Sequence, residues 1–129
     1  FGGLVVGTGN KVEDFGVGFY TKYGDGGVDI SPIADLYKSE VWDMARELGI
    51  DQRIIDAKPT DGLWDDGRVD EDQLDGMSYQ ELEECMKLVE AQDLYDVLEE
   101  DEVAKVDKYN AIRSRNLHKM NPIPVFLKP

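Results

Sequence analysis

The sequence predicts an α/β chain that opens on one strand and is mostly helical after it, and three observations carry that prediction. Leu4-Val5-Val6 is a continuous apolar run stopped by Gly7, the pattern of a central strand in a parallel sheet whose C-terminal end bears ligand loops. Apolar residues then recur at helical spacing in three later stretches, from Tyr37 to Leu48, from Leu82 to Val89 and from Val103 to Ile112. Between strand and helices lie two glycine-dense turns, Gly7-Thr8-Gly9-Asn10 and Tyr23-Gly24-Asp25-Gly26-Gly27, whose backbone can approach a ligand closely with polar groups beside it. Proteins seldom begin on a buried strand, so the run at Leu4 is expected to lie inside a longer chain.

In the first loop Thr8 offers a hydroxyl and Asn10 an amide, and Glu13 follows within reach of a bound cation. Glu13 and Asp14 read equally as a solvated loop or as the first turn of a helix, where acids favour the dipole. The apolar stretch Phe15 to Tyr20 should tie both glycine turns to one core. Asp29 to Ile33 reads as extended, because Pro32 pushes Ser31 away from helical angles. A helix is expected from about Asp35, with Tyr37, Val41, Met44, Ala45 and Leu48 as its buried face and Gly49 as its C-terminal stop. Lys38 stands in the first turn of that helix, where the dipole disfavours a cation; it either snorkels to solvent or meets an anion.

Residues 56 to 77 hold Pro59, three glycines and many acids, with Trp64 as the lone large anchor, and read as a loop of little regular structure. A loop of about twenty residues is uncommon in a compact domain unless it is functional or mobile. Its acids do not make an EF-hand, since Gly76 comes one place late and no glutamate closes the loop. Ser78-Tyr79-Gln80-Glu81 is a capping box opening a helix with Leu82, Cys85, Met86 and Val89 as its stripe, and Cys85 reads as plain packing. A further helical segment is expected at about Leu94 to Glu99, then a last helix marked by Val103, Val106, Tyr109, Ala111 and Ile112. Pro122 and Pro124 hold the end of the chain extended.

The 129 residues suit a single domain able to bury roughly two thirds of its unfolded surface. The net charge of −14 is uneven: residues 1–60 carry −4, 61–102 carry −15 and 103–129 carry +5. An acidic surface repels phosphate backbones and anionic lipids, which argues against nucleic acid or membrane partners. The basic last third folds back on the acidic middle or helps receive an anion. There is no signal-peptide pattern and no apolar run of about 18 residues, and the single cysteine, Cys85, cannot form an internal disulfide; a cytoplasmic setting is expected.

Several of these stretches together resemble the ammonia-dependent NAD synthetases: Gly7-Thr8-Gly9-Asn10-Lys11, the heptad Thr21-Lys22-Tyr23-Gly24-Asp25-Gly26-Gly27, Asp35-Leu36-Tyr37-Lys38, Lys58-Pro59-Thr60, Asp70-Glu71-Asp72 and His118-Lys119. The resemblance runs in the family's order over nearly the whole chain, and the heptad is its most specific part. It implies a doubly wound nucleotide-binding fold of the adenine nucleotide alpha hydrolase type, with residues 1–129 as the C-terminal portion of one synthetase domain. The activity it implies is NAD biosynthesis: ATP-dependent amidation of deamido-NAD with ammonia through an adenylated intermediate, in a homodimer that uses magnesium.

Carried over by position, the resemblance gives Thr8, Lys38 and Thr60 to ATP and Glu13 to magnesium. Lys22, Asp29, His118 and Lys119 go to deamido-NAD, and Asp25 to the ammonia pocket. His118 alone reads equally well as a surface histidine; Lys119 beside it and the basic surroundings favour the ligand role. The family's phosphate-binding loop, Ser-Gly-Gly-x-Asp-Ser, does not occur in these residues, so the chain alone is expected to be inactive. Two other readings stand beside this one, a non-catalytic dinucleotide-binding or dimerisation module and an acidic interaction domain whose glycine turns only reverse the chain.

Overall fold

The structure is a computed structural model and describes residues 2–91 and 98–128. Val6 pairs with Ile30 in a single parallel bridge, with the Gly7 N–H donating to the Ile30 carbonyl at 2.7 Å. The Asp29 carboxylate closes the same junction by accepting the Val5 N–H at 2.8 Å. The expected strand is therefore reduced to one bridge, and its residues are not buried: Leu4, Val5 and Val6 are 69%, 55% and 54% exposed. The physical reason is that a parallel strand is covered only when neighbouring strands and crossover helices lie against both of its faces, and here the described residues supply one neighbour.

A π-helix, Lys11–Val17, follows the first glycine turn. Asn10 starts it: its side-chain oxygen accepts the N–H groups of Val12 and Glu13 at 3.0 and 3.1 Å, and it is itself buried. The helix ends at Gly18, whose φ of 67° is left-handed and whose N–H returns to the Glu13 carbonyl, five residues back. Glu13 and Asp14 thus occupy a helix's first turn.

Helix α1 spans Lys38–Glu47, three residues later than expected. Pro32 lies in a turn and not in an extended run, with Ala34 N–H on the Ser31 carbonyl and Leu36 N–H on that of Ile33; proline's fixed φ suits the second position of such a turn. The expected buried face of α1 is also corrected. None of its residues is buried, and Met44 and Leu48 are 45% and 71% exposed, because the helix leans mainly on α2 (Gln52–Ile55) and α4 (Tyr79–Glu90) and touches the π-helix through Lys38 at its first turn. The long loop is more ordered than expected. It contains α3, Asp70–Gln73, and sends Leu74 and Met77 into the core. Trp64 is not its anchor, since the ring is half exposed and stacks on the Arg68 guanidinium, 4.1 Å from the centroid.

Ser78 caps α4 as the sequence indicates, accepting the Glu81 N–H while Glu81 reaches back to the Ser78 N–H at 3.0 Å. The last helix, α5, runs Glu100–Met120. The segment expected at Leu94 to Glu99 lies, but for Leu98 and Glu99, outside the described residues. The core forms where the π-helix, α4 and α5 meet: Val12 and Val17 pack with Leu74, Met77, Tyr79, Leu82, Cys85, Met86, Val106, Tyr109 and Ile112. Ala111, expected with this stripe, is exposed.

The basic third folds back on the rest of the chain. Arg115 pairs with Asp75 at 2.6 Å and Lys105 with Glu81 at 3.5 Å. Three α5 side chains also take the carbonyls at the end of the π-helix: Arg113 on Phe15 and Gly16, Asn116 on Val17 and Lys119 on Gly18. Their donors satisfy groups that a helix end leaves unpaired. No helix among the described residues is long and apolar enough to cross a membrane.

Candidate functional site

The π-helix, the start of α1, the loop around α3 and the first turn of α4 converge on one polar cluster. Glu13 comes from the π-helix and meets Lys38 from the first turn of α1, Nζ to Oε1 at 2.6 Å, each side chain only 16% exposed. The Lys38 ammonium lies over the Tyr79 ring, 4.7 Å from its centroid. The Tyr79 hydroxyl donates to Asp70 Oδ2 at 2.7 Å. Asp70 is 6% exposed, and among the described residues its Oδ1 is the buried side-chain oxygen without a hydrogen-bond partner. Burial pushes the Asp70 carboxyl up from the usual range; the Tyr79 hydrogen bond opposes this, and Glu13 adds to it. Burial, reinforced by the charges of Glu13 and Asp70, drives the Tyr79 phenol far upward, so it remains a proton donor.

Lys38, disfavoured by its own helix dipole, is therefore held by a carboxylate and an aromatic face. Its neighbour Ser39 is tied to the buried Glu83 by hydroxyl and N–H at 2.8 and 3.2 Å, and Lys87 completes that knot at 2.7 Å. Burial works to raise the Glu83 carboxyl, but the bonds from Lys87 and Ser39 outweigh it and hold it low. The arrangement fixes the start of α1 on α4 and so fixes where Lys38 stands.

A second group forms about the Thr21–Gly27 turn. A cavity of about 590 Å³ is lined by Phe19, Tyr20, Asp25 and Lys119, together with Asp61 and Leu63 from the long loop. Asp25 accepts the Thr21 N–H at 2.8 Å and so braces its own turn. Lys119 lies 5.6 Å from the Tyr20 ring centroid, and burial lowers its pKa while Asp25 opposes that shift. Lys22 donates to the His118 carbonyl at 2.5 Å and to that of Asn121 at 3.4 Å, at the negative end of α5. The His118 ring is exposed, its Nδ1 3.2 Å from the Arg115 carbonyl.

The positions singled out in the sequence thus fall into sets. Glu13 and Lys38 are in contact; Lys22 reaches the His118 backbone; Asp25 and Lys119 share a cavity. Thr8 is exposed in the first glycine turn, Asp29 is engaged with Val5, and the Thr60 hydroxyl donates to the Arg68 carbonyl at 3.3 Å and accepts the Gly62 N–H at 3.1 Å.

Sequence reasoning missed Asp70 and Tyr79 as members of the Glu13–Lys38 cluster, although Asp70-Glu71-Asp72 was part of the family pattern. It also read Asp14 only as an acid of a solvated loop or of a helix's first turn, without the burial it has. Asp14 is half-buried with its carboxylate filling the space that a Gly9 side chain would need, 2.0 Å from the position of such a Cβ. Burial first, then the charges of Glu13 and Asp25, push its pKa up to about 6. The adjacency of Gly9 to an acid five residues on was the available signal.

Comparison with known proteins bears on this geometry. A family model described as NAD synthase matches residues 1–122. The chain is 42% identical over 125 residues to an NH3-dependent NAD+ synthetase of Methanosarcina acetivorans, covering 95% of the chain and 48% of that protein. It is 48% identical over 120 residues to the synthetase of the same description from Archaeoglobus fulgidus, covering 93% and 46%. Its backbone superposes on an NMN synthetase from Francisella tularensis with a TM-score of 0.73 at 31% identity, over 98% of the chain and 46% of that structure. The chain spans about half the length of the curated relatives it matches. With a match over residues 1–122, nearly its whole length, the chain belongs to the NAD synthase family.

Proposed function

We propose that this chain is the C-terminal portion of an ammonia-dependent NAD synthetase domain, and that the whole protein amidates deamido-NAD. In that reaction an oxygen of the nicotinate carboxylate attacks the α-phosphorus of ATP, the α–β phosphoanhydride bond breaks and pyrophosphate leaves. Ammonia then attacks the acyl carbon, the C–O bond to AMP breaks, and the nitrogen gives up a proton. The products are NAD, AMP and pyrophosphate.

The observation that supports the reading is the Glu13–Lys38 pair, 2.6 Å apart in a largely covered cluster, which sets a cation and a carboxylate side by side as handling of phosphates and their counter-ion would require. Lys38, Thr8 and Thr60 would contact ATP, Lys38 offsetting charge that grows on departing pyrophosphate. Lys22, Asp29, His118 and Lys119 would hold deamido-NAD. Asp25 would hold ammonium in the cavity beside Lys119 and accept a proton as ammonia attacks. Among the described residues no group of three or more His, Cys, Asp or Glu side chains is placed to hold a metal ion; Glu13 would offer magnesium one hard carboxylate, and the ion when bound would neutralise phosphate charge. The protein is read as a cytoplasmic homodimer.

The test is NAD formation by the full-length protein supplied with deamido-NAD, ATP, magnesium and ammonia. NAD and AMP should appear in equal amounts, and the 129-residue chain alone should give neither. Formation of NMN in preference to NAD would transfer the reading to the activity named for the Francisella protein. ATP use without AMP release would overturn it.

A further inference from the structure

The π-helix ends without the backbone partners that a longer helix would give its last carbonyls, and α5 provides them from its side chains. Four successive carbonyls, Phe15 to Gly18, are taken in this way. Arg113 Nη1 donates to Phe15 and, at 2.6 Å, to Gly16; Asn116 Nδ2 donates to Val17 at 2.9 Å; Lys119 Nζ donates to Gly18 at 2.9 Å. Asn116 is the middle of the row. Its amide also donates to the Ile112 carbonyl at 3.2 Å, one turn back in α5, so both of its N–H groups are used and its direction is fixed. The chain can rest on it at Gly18 only as glycine, since a Cβ there would stand 2.7 Å from Asn116 Cβ.

The end that α5 holds is closed on Glu13. The Glu13 carbonyl accepts the Gly18 N–H and also the Phe19 N–H, the latter at 2.8 Å, while the Glu13 N–H is taken by Asn10 at the start of the helix. A π-helix is an uncommon winding. Were its end to relax by one residue into α register, side chains would turn by about 100° about the helix axis, and Glu13 would leave Lys38.

We infer that Asn116, with Arg113 beside it on α5, is a positioning residue: it holds the end of the π-helix in its wide register and so keeps the Glu13 carboxylate against the Lys38 ammonium. Neither residue touches a substrate in this scheme. The consequence for turnover rests on the reading of the Glu13–Lys38 pair as part of the ATP site.

The experiment measures the coupling between Glu13→Gln and Lys38→Ala by urea denaturation of the full-length protein, first with Asn116 in place and then in an Asn116→Ala background. The Kd for ATP with magnesium is taken alongside by calorimetry. Asn116→Ala should remove most of the coupling and weaken ATP binding by roughly tenfold, the worth of one hydrogen bond to a charged group. A residue that only stabilises the fold would lower all four members of the cycle alike and leave the coupling as it was; that outcome, or no coupling even with Asn116 in place, overturns the inference. Should Asn116→Ala not fold, Asn116→Asp takes its place, since it keeps the size and sets an acceptor against the Val17 carbonyl. Coupling lost in that variant supports the positioning role, and coupling retained overturns it. Coupling lost with ATP affinity unchanged also supports the positioning role, and sinks instead the assignment of the pair to ATP.

Discussion

Lys38 and Glu13 are covered well enough that each depends on the other. Removing Lys38 relieves the helix dipole by a few tenths of a kcal/mol, but it leaves Glu13 and Asp70 as neighbouring acids without their cation. The second effect is the larger, so Lys38→Ala should cost about 2 kcal/mol and, in the full-length protein, raise the ATP requirement. A urea-denaturation cycle with Glu13→Gln should show coupling of about 1 kcal/mol or more; simple additivity would mean the pair contributes nothing. Asp14 gives a pH signature. Its pKa stands at about 6 against an ordinary 3.8, so the folded state holds the proton more tightly than the unfolded chain does. Its ionisation therefore lowers stability as pH rises from about 4 to 6, and the loss is complete above that window. Asp14→Asn should stabilise by about 1 kcal/mol near pH 7, after allowance for solvent screening of a half-buried group. The gain should vanish below about pH 4, and metal-free melts at both pH values check it.

The long loop divides in two. From Asp70 to Met77 it is pinned by the Tyr79 bond and by Leu74 and Met77 in the core, while the tip is held by exposed polar contacts such as the Arg68–Asp66 pair and the Gln73–Asp61 hydrogen bond and exposes Leu63 and Trp64. Amide exchange should therefore be fast across residues 61–68 and at least tenfold slower at Leu74 and Met77. Because Asp61 and Leu63 line the same cavity as Asp25 and Lys119, the proposed function predicts that nucleotide and deamido-NAD added to the full-length protein slow exchange at the tip. Equal protection with and without ligands would remove the tip from the site. Helix α5 shows a different use of an element: its polar face, Arg113, Asn116 and Lys119, serves the end of the π-helix, so two of the charges that a sequence reading weighs for an anion are engaged with backbone carbonyls.

Across the whole molecule the charge of −14 is concentrated in the middle third, and the ion pairs from the basic third to Asp75 and Glu81 offset only part of it. Self-repulsion then dominates, and raising NaCl from about 20 to 200 mM should raise the melting temperature by about 3 °C; a fall would mean that surface ion pairs outweigh the repulsion. What the sequence by itself determined is whatever depends on neighbours a few positions apart. The Thr21–Gly27 heptad marks the family, Ser78 and Glu81 start α4, and the stripe from Leu82 to Met86 finds the core. Local patterns failed where their prediction needed a distant surface. The face of α1 has helical periodicity but little to cover it, and Leu4 to Val6 has strand character with one bridge to satisfy it. The site is likewise a tertiary product: residues 13, 38, 70 and 79 belong to four elements, and no spacing in the chain relates them. They meet because the π-helix is clamped between α4 and α5 by apolar burial, which brings Glu13 and its partner Lys38 to the start of α4, where Tyr79 carries the ammonium on its ring and donates to Asp70.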